Sequence, residues 1–395
     1  MHNIIILIVC LSIIAWIYLL LFRGKFWLNN EKISRSFDCL DDYPSVCAIV
    51  PARNEAAVIA TSLKSLLKQN YPGNFSIILV DDQSTDNTKD IAKQSIESYD
   101  NSHDLEIISG IPLANKWSGK LWAMKQGIDK ANHLKNKPDY FLFTDADIKH
   151  HTNNLKELVT KAKKENLALV SLMVKLECKS LWEKLLIPAF IFFFKKLYPF
   201  SWVNNYYKKT AAAAGGCILI SRFILEEIGG LEVLKETLID DCSLATFVKK
   251  KLKDNKQYAD QGIWLGLSEK TVSLRSYDRL EPIWNMVART AYTQLKHSPL
   301  MLIGTLIGLV FIYLIGPISF IYGTVVYDKT LIALGAINWF LMTLAYFPTV
   351  LLYKCSPLWA LSLPFTTSLY AAMTFDSALK YWKGKGGKWK GRTYS

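Results

Sequence analysis

The sequence predicts an α/β protein, a mostly parallel, doubly wound sheet on a chain that also enters a membrane. Three observations carry this. Short apolar runs alternate with helix-spaced segments through the first half of the chain. Two of those runs end in acidic clusters, VDD at 80–82 and TDAD at 144–147. Uncharged stretches at 3–22, 298–327, 330–353 and 355–375 flank this region. Each is about as long as the roughly 20 residues a membrane helix needs.

Residues 3–22 are followed by Arg23, Lys25, Lys32 and Arg35 with no small-residue cleavage site. That predicts an uncleaved transmembrane anchor over 1–25, its carboxyl side cytoplasmic. Residues 26–43 are mixed and polar, a juxtamembrane linker. SVCAIVP at 45–51 predicts the first strand, and 57–69 a helix with Ile59, Leu63, Leu66 and Leu67 spaced along it. SIILVDD at 76–82 is a second strand, after which Ser84, Thr85 and Asp86 cap a helix running to about Tyr99. LEII at 105–108 predicts a third strand, 121–134 a helix, and FLFT at 141–144 a strand buried on both faces. A helix over about 153–165 and a strand starting at LALV, 167–170, complete the alternation.

LLIPAFIFFF at 185–194 is apolar but too short to span, and lysines 184, 195 and 196 flank it. It predicts a helix lying in the bilayer interface, within an aromatic and basic segment over 181–207. A buried core helix is the competing reading.

The chain has 395 residues, 51% hydrophobic, with a formal net charge of +13. The positive balance comes without zinc-ligand spacing or an RNA-binding aromatic signature, which argues against a nucleic-acid partner. Basic loops on an anionic membrane face account for it. Seven cysteines include no C-x-x-C pair, as expected of reduced thiols in a cytosolic domain.

The chemistry falls at strand ends. Asp145 and Asp147 stand two residues apart after FLFT, where period-2 alternation would aim both carboxylates one way. Converging carboxylates attract a divalent cation, although Asp is also a common turn residue. VPARNEA at 50–56 contributes Pro51, Ala52, Asn54 and Glu55, and VDDQSTDNT at 80–88 contributes Asp81. Polar groups after consecutive parallel strands line one crevice. In KWSGKLWAMKQG at 116–127, Lys120 sits at a helix start, where its charge opposes the macrodipole. A nearby phosphate explains it better than helix stability does. Gly215 and Gly216 in AAAAGGCILISR permit close approach to the backbone. Asp240 and Asp241 in LIDDCSLA are either helix N-cap residues or carboxylates facing Asp145 and Asp147, one of them a general base.

In this order, VPARNEA, VDDQSTDNT, GKLWAMKQG, FTDADI, GGCILISR and IDDCSLA resemble the motifs of family-2 glycosyltransferases with the GT-A fold. With the flanking apolar segments, WNMVARTAYTQL at 284–295 and WKGRTY at 389–394, the chain looks like the hopanoid-associated membrane glycosyltransferases, and more distantly like ceramide glucosyltransferase.

The resemblance implies a Rossmann-like, nucleotide-sugar-binding GT-A domain over 44–297. It would be cytoplasmic, on a multi-pass protein of the inner membrane. It implies that Asp81 and the 51–55 segment meet the nucleotide of a donor, a UDP-sugar. Asp145 would hold the nucleotide, and Asp147 a Mg2+ or Mn2+ ion on the diphosphate. Asp241 would be the base for a lipid hydroxyl acceptor, with Gly215, Gly216 and Asp240 beside it. The Q-x-x-R-W motif of processive members is absent; IWNMV stands there, and Arg289 is the candidate cation toward the diphosphate. Its absence favours single-sugar transfer over a polysaccharide synthase. The intact carboxylates speak against a silent nucleotide-sugar-binding scaffold. Donor sugar, nucleotide base, the identity of the lipid acceptor, the choice of divalent metal and oligomeric state are not fixed by these motifs.

Residues 298–379 predict two to three membrane segments, and 380–395 a basic tail. Three full spans would put the tail outside, yet Lys380, Lys383, Lys385, Lys388, Lys390 and Arg392 favour the cytoplasmic side. Pro357 and Pro364 make 355–375 the segment expected to be re-entrant or interfacial.

Overall fold

The computed structural model describes residues 2–33, 40–97, 103–237, 239–258, 260–384, 388–389 and 392–393. The expected helix end at Tyr99, Leu238, and Lys385, Lys390 and Tyr394 of the tail lie outside the described residues.

Helix α1 (His2–Phe22) is followed by β1 (Val46–Ala52), α2 (Ile59–Leu67), β2 (Phe75–Asp81), α3 (Thr88–Glu97), β3 (Asp104–Ser109), α4 (Gly119–Asn132) and β4 (Tyr140–Thr144). Then come β5 (Ile148–Lys149), α5 (Asn154–Lys164), β6 (Leu167–Lys175), α6 (Leu181–Leu197), α7 (Phe200–Val203) and β7 (Cys217–Ser221). The domain closes with α8 (Arg222–Glu227), α9 (Asp240–Asp254), β8 (Gly262–Ser273) and α10 (Leu280–Gln294). The carboxyl-terminal helices are α11 (Pro299–Leu309), a π-helical turn (Val310–Leu314), α12 (Ile315–Val325), α13 (Lys329–Leu352) and α14 (Leu363–Trp382). Two short strands, β9 (Lys388–Trp389) and β10 (Arg392–Thr393), pair antiparallel at the end.

The eight-stranded sheet runs β3-β2-β1-β4-β7-β6-β8-β5. Every residue of β1 is buried, as a strand covered on both faces requires. On α2 the residues Ile59, Leu63, Leu66 and Leu67 are all buried, so the helical spacing marks the face packed on the sheet. The half from β3 to β4 is parallel, as the alternation predicts.

Beyond β4 the pattern changes. β7 lies antiparallel to both β4 and β6, and β5 antiparallel to β8, so the sheet is mixed. The small-residue run at 211–216 hid β7 from the sequence reading. This strand decides the site's geometry. Thr144 pairs with Cys217, so an antiparallel neighbour brings Gly215 and Gly216 alongside the carboxyl end of β4.

Among the described residues, four helical segments are long and apolar enough to cross a membrane: His2–Phe22, Leu181–Val203, Pro299–Val325 and Lys329–Leu352. The 185–194 run, expected to be short, is the middle of the longer α6. Its Phe192 meets Tyr346 of α13 edge-on and Phe193 meets Tyr370 of α14, so aromatic residues of those helices pack against it. The amino-terminal helix packs on the carboxyl-terminal ones through polar groups. Ser12 donates to the Phe311 carbonyl, Trp16 to the Ile312 carbonyl, and Asn338 to Ser12. Segment 355–375 bends through a 3-10 turn (Pro357–Ser362) before α14, which is not among the four candidates.

Candidate active site

The strand β4 ends at Thr144, and residues 145–147 form a turn in which Ile148 N donates to the Asp145 carbonyl. Period-2 alternation therefore does not orient the two carboxylates. Each takes a different cation. Asp145 Oδ1 lies 2.6 Å from Lys120 Nζ. Asp147 Oδ2 lies 3.2 Å from Arg275 Nε and accepts from Ser273 Oγ at 3.3 Å.

Lys120 is the second residue of α4, whose Ser118 cap accepts from Leu121 N. Burial works against its charge, but Asp145, Asp240 and Asp241 outweigh it and hold the ammonium protonated well above its ordinary range. Carboxylates surround the ammonium that the sequence left unexplained.

Helix α9 begins at Asp240, with Ile239 at the N-cap position. The aspartates are thus first-turn residues, not the cap. Asp241 Oδ2 accepts from Gly215 N at 2.9 Å and Oδ1 from Cys242 N at 2.7 Å. Burial and the neighbouring Asp240 push its carboxyl up to about 6, while Lys120 pulls the other way. A Cβ on Gly215 would stand 3.1 Å from Lys120 Nζ and 3.4 Å from Asp241 Oδ2, so this position is small because two functional groups converge on it. Burial and the nearby Asp145 also raise Asp147, against the pull of Arg275.

Pro51, Glu55, Lys120, Asp145 and Asp147 line one cavity of about 560 Å³ with Gly215, Gly216, Asp240 and Asp241. Arg289, an exposed residue of α10, lines it too and makes no ion pair among the described residues. Ala52, Asn54 and Asp81 do not line it. Asn54, at φ 52°, accepts from Thr85 N and so stitches the first strand's turn to the second's. Asp81 pairs in register with Ala52, and its Oδ1 is buried without a partner. An orphaned carboxylate oxygen costs free energy unless a ligand's donor group satisfies it.

Arg275 was not singled out in the sequence. It follows β8, a strand whose role no motif announces, and bridges Asp147 to Glu55 at 2.9 Å. A second unheralded group lies beneath the turn. Fully buried His150 has Nδ1 3.0 Å from Asn154 Nδ2, and Asn154 Oδ1 accepts from Thr271. Nδ1 is therefore the acceptor, and Nε2–H donates to Thr144 Oγ1, which donates onward to the Gly216 carbonyl. This network ties β4 to β7 directly under Asp145.

Burial drops the His150 pKa to about 3, so it is neutral in the folded chain. The unfolded chain takes up a proton near pH 6.5 and the folded one does not. Stability is full above pH 6.5 and falls toward pH 3, by about 1.4 kcal/mol per pH unit for this one proton. Thermal unfolding across that window should show the slope, and His150→Gln should lose one proton's share of it.

The mixed sheet, parallel from β3 to β4 with β7 antiparallel beside β4, is the GT-A fold. It is shared with the mannosyltransferase PcManGT from Pyrobaculum calidifontis, solved with GDP-Man and Mn2+, at a TM-score of 0.53 and 16% identity over 96% of this chain and 99% of that one. Residues 47–229 match the family Glycosyl transferase family 2. The probable glycosyltransferase YdaM of Bacillus subtilis is 33% identical over 132 residues, 31% of this chain and 30% of that protein. Glycosyltransferase AglE of Haloferax volcanii is 34% identical over 90 residues, 22% of this chain and 27% of that protein. The beta-monoglucosyldiacylglycerol synthase of a Synechocystis strain is 43% identical over 58 residues, 14% of this chain and 12% of that protein. The chain thus spans under a third of the length of each of these three relatives.

Proposed function

We propose that the chain moves one sugar from a nucleotide-sugar donor, a UDP-sugar, to a hydroxyl of a membrane lipid, with inversion at the anomeric carbon. One observation carries the lipid half of this reading. The cavity that holds Asp145, Asp147 and Asp241 continues to Thr305 and Leu309 of α11 and to Tyr370 and Thr374 of α14. Phe190, Phe193 and Phe194 of α6 form an apolar wall along it. Pro299–Val325, which contains α11, is apolar and long enough to cross a bilayer. A water-soluble acceptor needs no such arm; the body of a lipid does. The name of the Synechocystis relative, a glycolipid synthase, points the same way. A hopanoid or another terpenoid or sphingoid-like lipid is the acceptor class we favour. The catalytic domain would face the cytoplasm from the inner membrane.

In the reaction the acceptor oxygen attacks the anomeric carbon as the bond to the diphosphate breaks. The proton passes to Asp241, and the bonding pair leaves with the diphosphate. Asp81, whose buried Oδ1 has no hydrogen-bond partner, would accept from the nucleotide. Gly215 N and Cys242 N hold the two oxygens of Asp241, fixing the base in one orientation.

The donor set suits Mg2+ or Mn2+. Among the described residues no three His, Cys, Asp or Glu side chains form a cage. Ser273 and Arg275 both use Oδ2 of Asp147, which leaves its Oδ1 for an ion. Mg2+ commonly takes one or two carboxylates and completes its shell with phosphate and water. Bound by Asp147, with Asp145 nearby, it would supply positive charge against the leaving diphosphate.

The test is transfer of label from a panel of sugar nucleotides into extractable lipid by membranes holding the protein. Leu309→Trp, which fills the apolar arm, should cut lipid labelling at least about tenfold, an overpacking effect at a distance from the chemistry. Nucleotide binding should stay unchanged. Equal labelling of a water-soluble acceptor by both proteins would overturn the lipid assignment.

A further inference from the structure

Arg275 holds two carboxylates at the place where the proposed donor's charge must sit. Its Nε meets Asp147 Oδ2 at 3.2 Å and its Nη2 donates to Glu55 Oε1 at 2.9 Å. Nη1 donates no hydrogen bond among the described residues. The guanidinium lines the cavity, and its side chain is 40% exposed.

Its backbone, by contrast, is pinned. Leu274 N donates to the Asp147 carbonyl at 2.7 Å, and Arg275 N donates to Ser273 Oγ at 3.2 Å. A fixed root with a half-open, incompletely bonded head describes a side chain that can change partners without moving the sheet.

We infer that Arg275 is an exchangeable counter-cation. Without donor it neutralises Asp147 and Glu55; with nucleoside diphosphate and a divalent ion bound, it releases Asp147 and turns to the diphosphate. The inference rests on the donor reading above. The charges support it. A cation arriving at Asp147 repels the guanidinium, and the diphosphate brings oxygens that suit its planar fork better than two separate carboxylates do. It also assigns to Arg275 the role that the sequence gave to Arg289, which is exposed on α10 without an ion pair among the described residues.

The test uses full-length, detergent-solubilised wild type, Arg275→Gln and Arg275→Lys. Two quantities are measured: binding of Mn2+ alone, from the free-ion paramagnetic resonance signal, and binding of labelled UDP and GDP with Mn2+, by equilibrium dialysis. The two should move in opposite directions. Arg275→Gln removes a competitor, so Mn2+ alone binds several-fold tighter. It also removes a charged donor, so nucleoside diphosphate binds roughly tenfold to a hundredfold more weakly. Arg275→Lys recovers part of the nucleotide affinity and, if the Gln variant does not fold, carries the test through its intermediate values. A merely structural arginine would weaken both, and that result, or unchanged Mn2+ binding, overturns the exchange. Wild type that binds neither UDP nor GDP defeats the donor reading itself, a separate outcome.

Discussion

Asp241→Asn should reduce sugar transfer by about 10²–10⁴-fold, the usual contribution of a positioned general base, while donor binding stays near wild type. Asparagine keeps an oxygen for Gly215 N or Cys242 N, so the first turn of α9 is retained. What it cannot do is take a proton. In wild type, burial and Asp240 hold the carboxyl up at about 6. As the proposed base, Asp241 works only when ionised, so kcat/KM should rise with pH and level off above about 6. A pH profile and equilibrium dialysis with donor check the two halves separately. Loss of donor and metal binding together with activity would instead make Asp241 a binding residue, and an unshifted acid limb in the variant would assign the titration elsewhere.

What could be seen from the sequence depended on distance along the chain. The strands β1, β2 and β4 and their following helices were legible because each is a local pattern with its own apolar period. Asp81, Asp145 and Asp147 were legible because they end those strands. Convergence was harder to see. That Gly215 stands between Lys120 and Asp241 depends on β7 running antiparallel to β4, and no local period encodes the direction of a neighbour. Arg275 was illegible for the same reason. An arginine after a long strand reads as surface until the register sets it beside Asp147 and Glu55. His150, likewise, is unremarkable in HH at 150–151 until Thr144 and Asn154 fix its tautomer. The shared cavity reaching α11 and α14 joins segments more than 150 residues apart, and hydropathy could only suggest it through the aromatic run of α6.

Lys120→Met is expected to damage transfer nearly as much, and its pH signature distinguishes two accounts of this lysine. The ammonium is the cation among Asp145, Asp240 and Asp241, and its side chain is 20% exposed. Removing it leaves carboxylates that repel one another in a low-dielectric site. Asp145 is 36% exposed, so water takes up part of that cost. A stability loss of about 1–2 kcal/mol is expected, below the 3–5 typical of a fully buried pair. The larger effect is on the proposed base. Lys120 is the charge that pulls Asp241 down against burial and Asp240. Without it the carboxyl climbs further, and the acid limb of kcat/KM should move above pH 6 by about a unit or more. Activity at neutral pH then falls, partly recoverable at higher pH. Arginine is a poor substitute because Gly215 leaves so little room: a single added carbon there would already lie 3.1 Å from the ammonium. If Lys120→Met raises the donor KM and leaves the acid limb in place, the lysine is a phosphate ligand, as its position at the start of α4 first suggested. A shifted limb with donor affinity retained makes it the residue that sets the charge of Asp241.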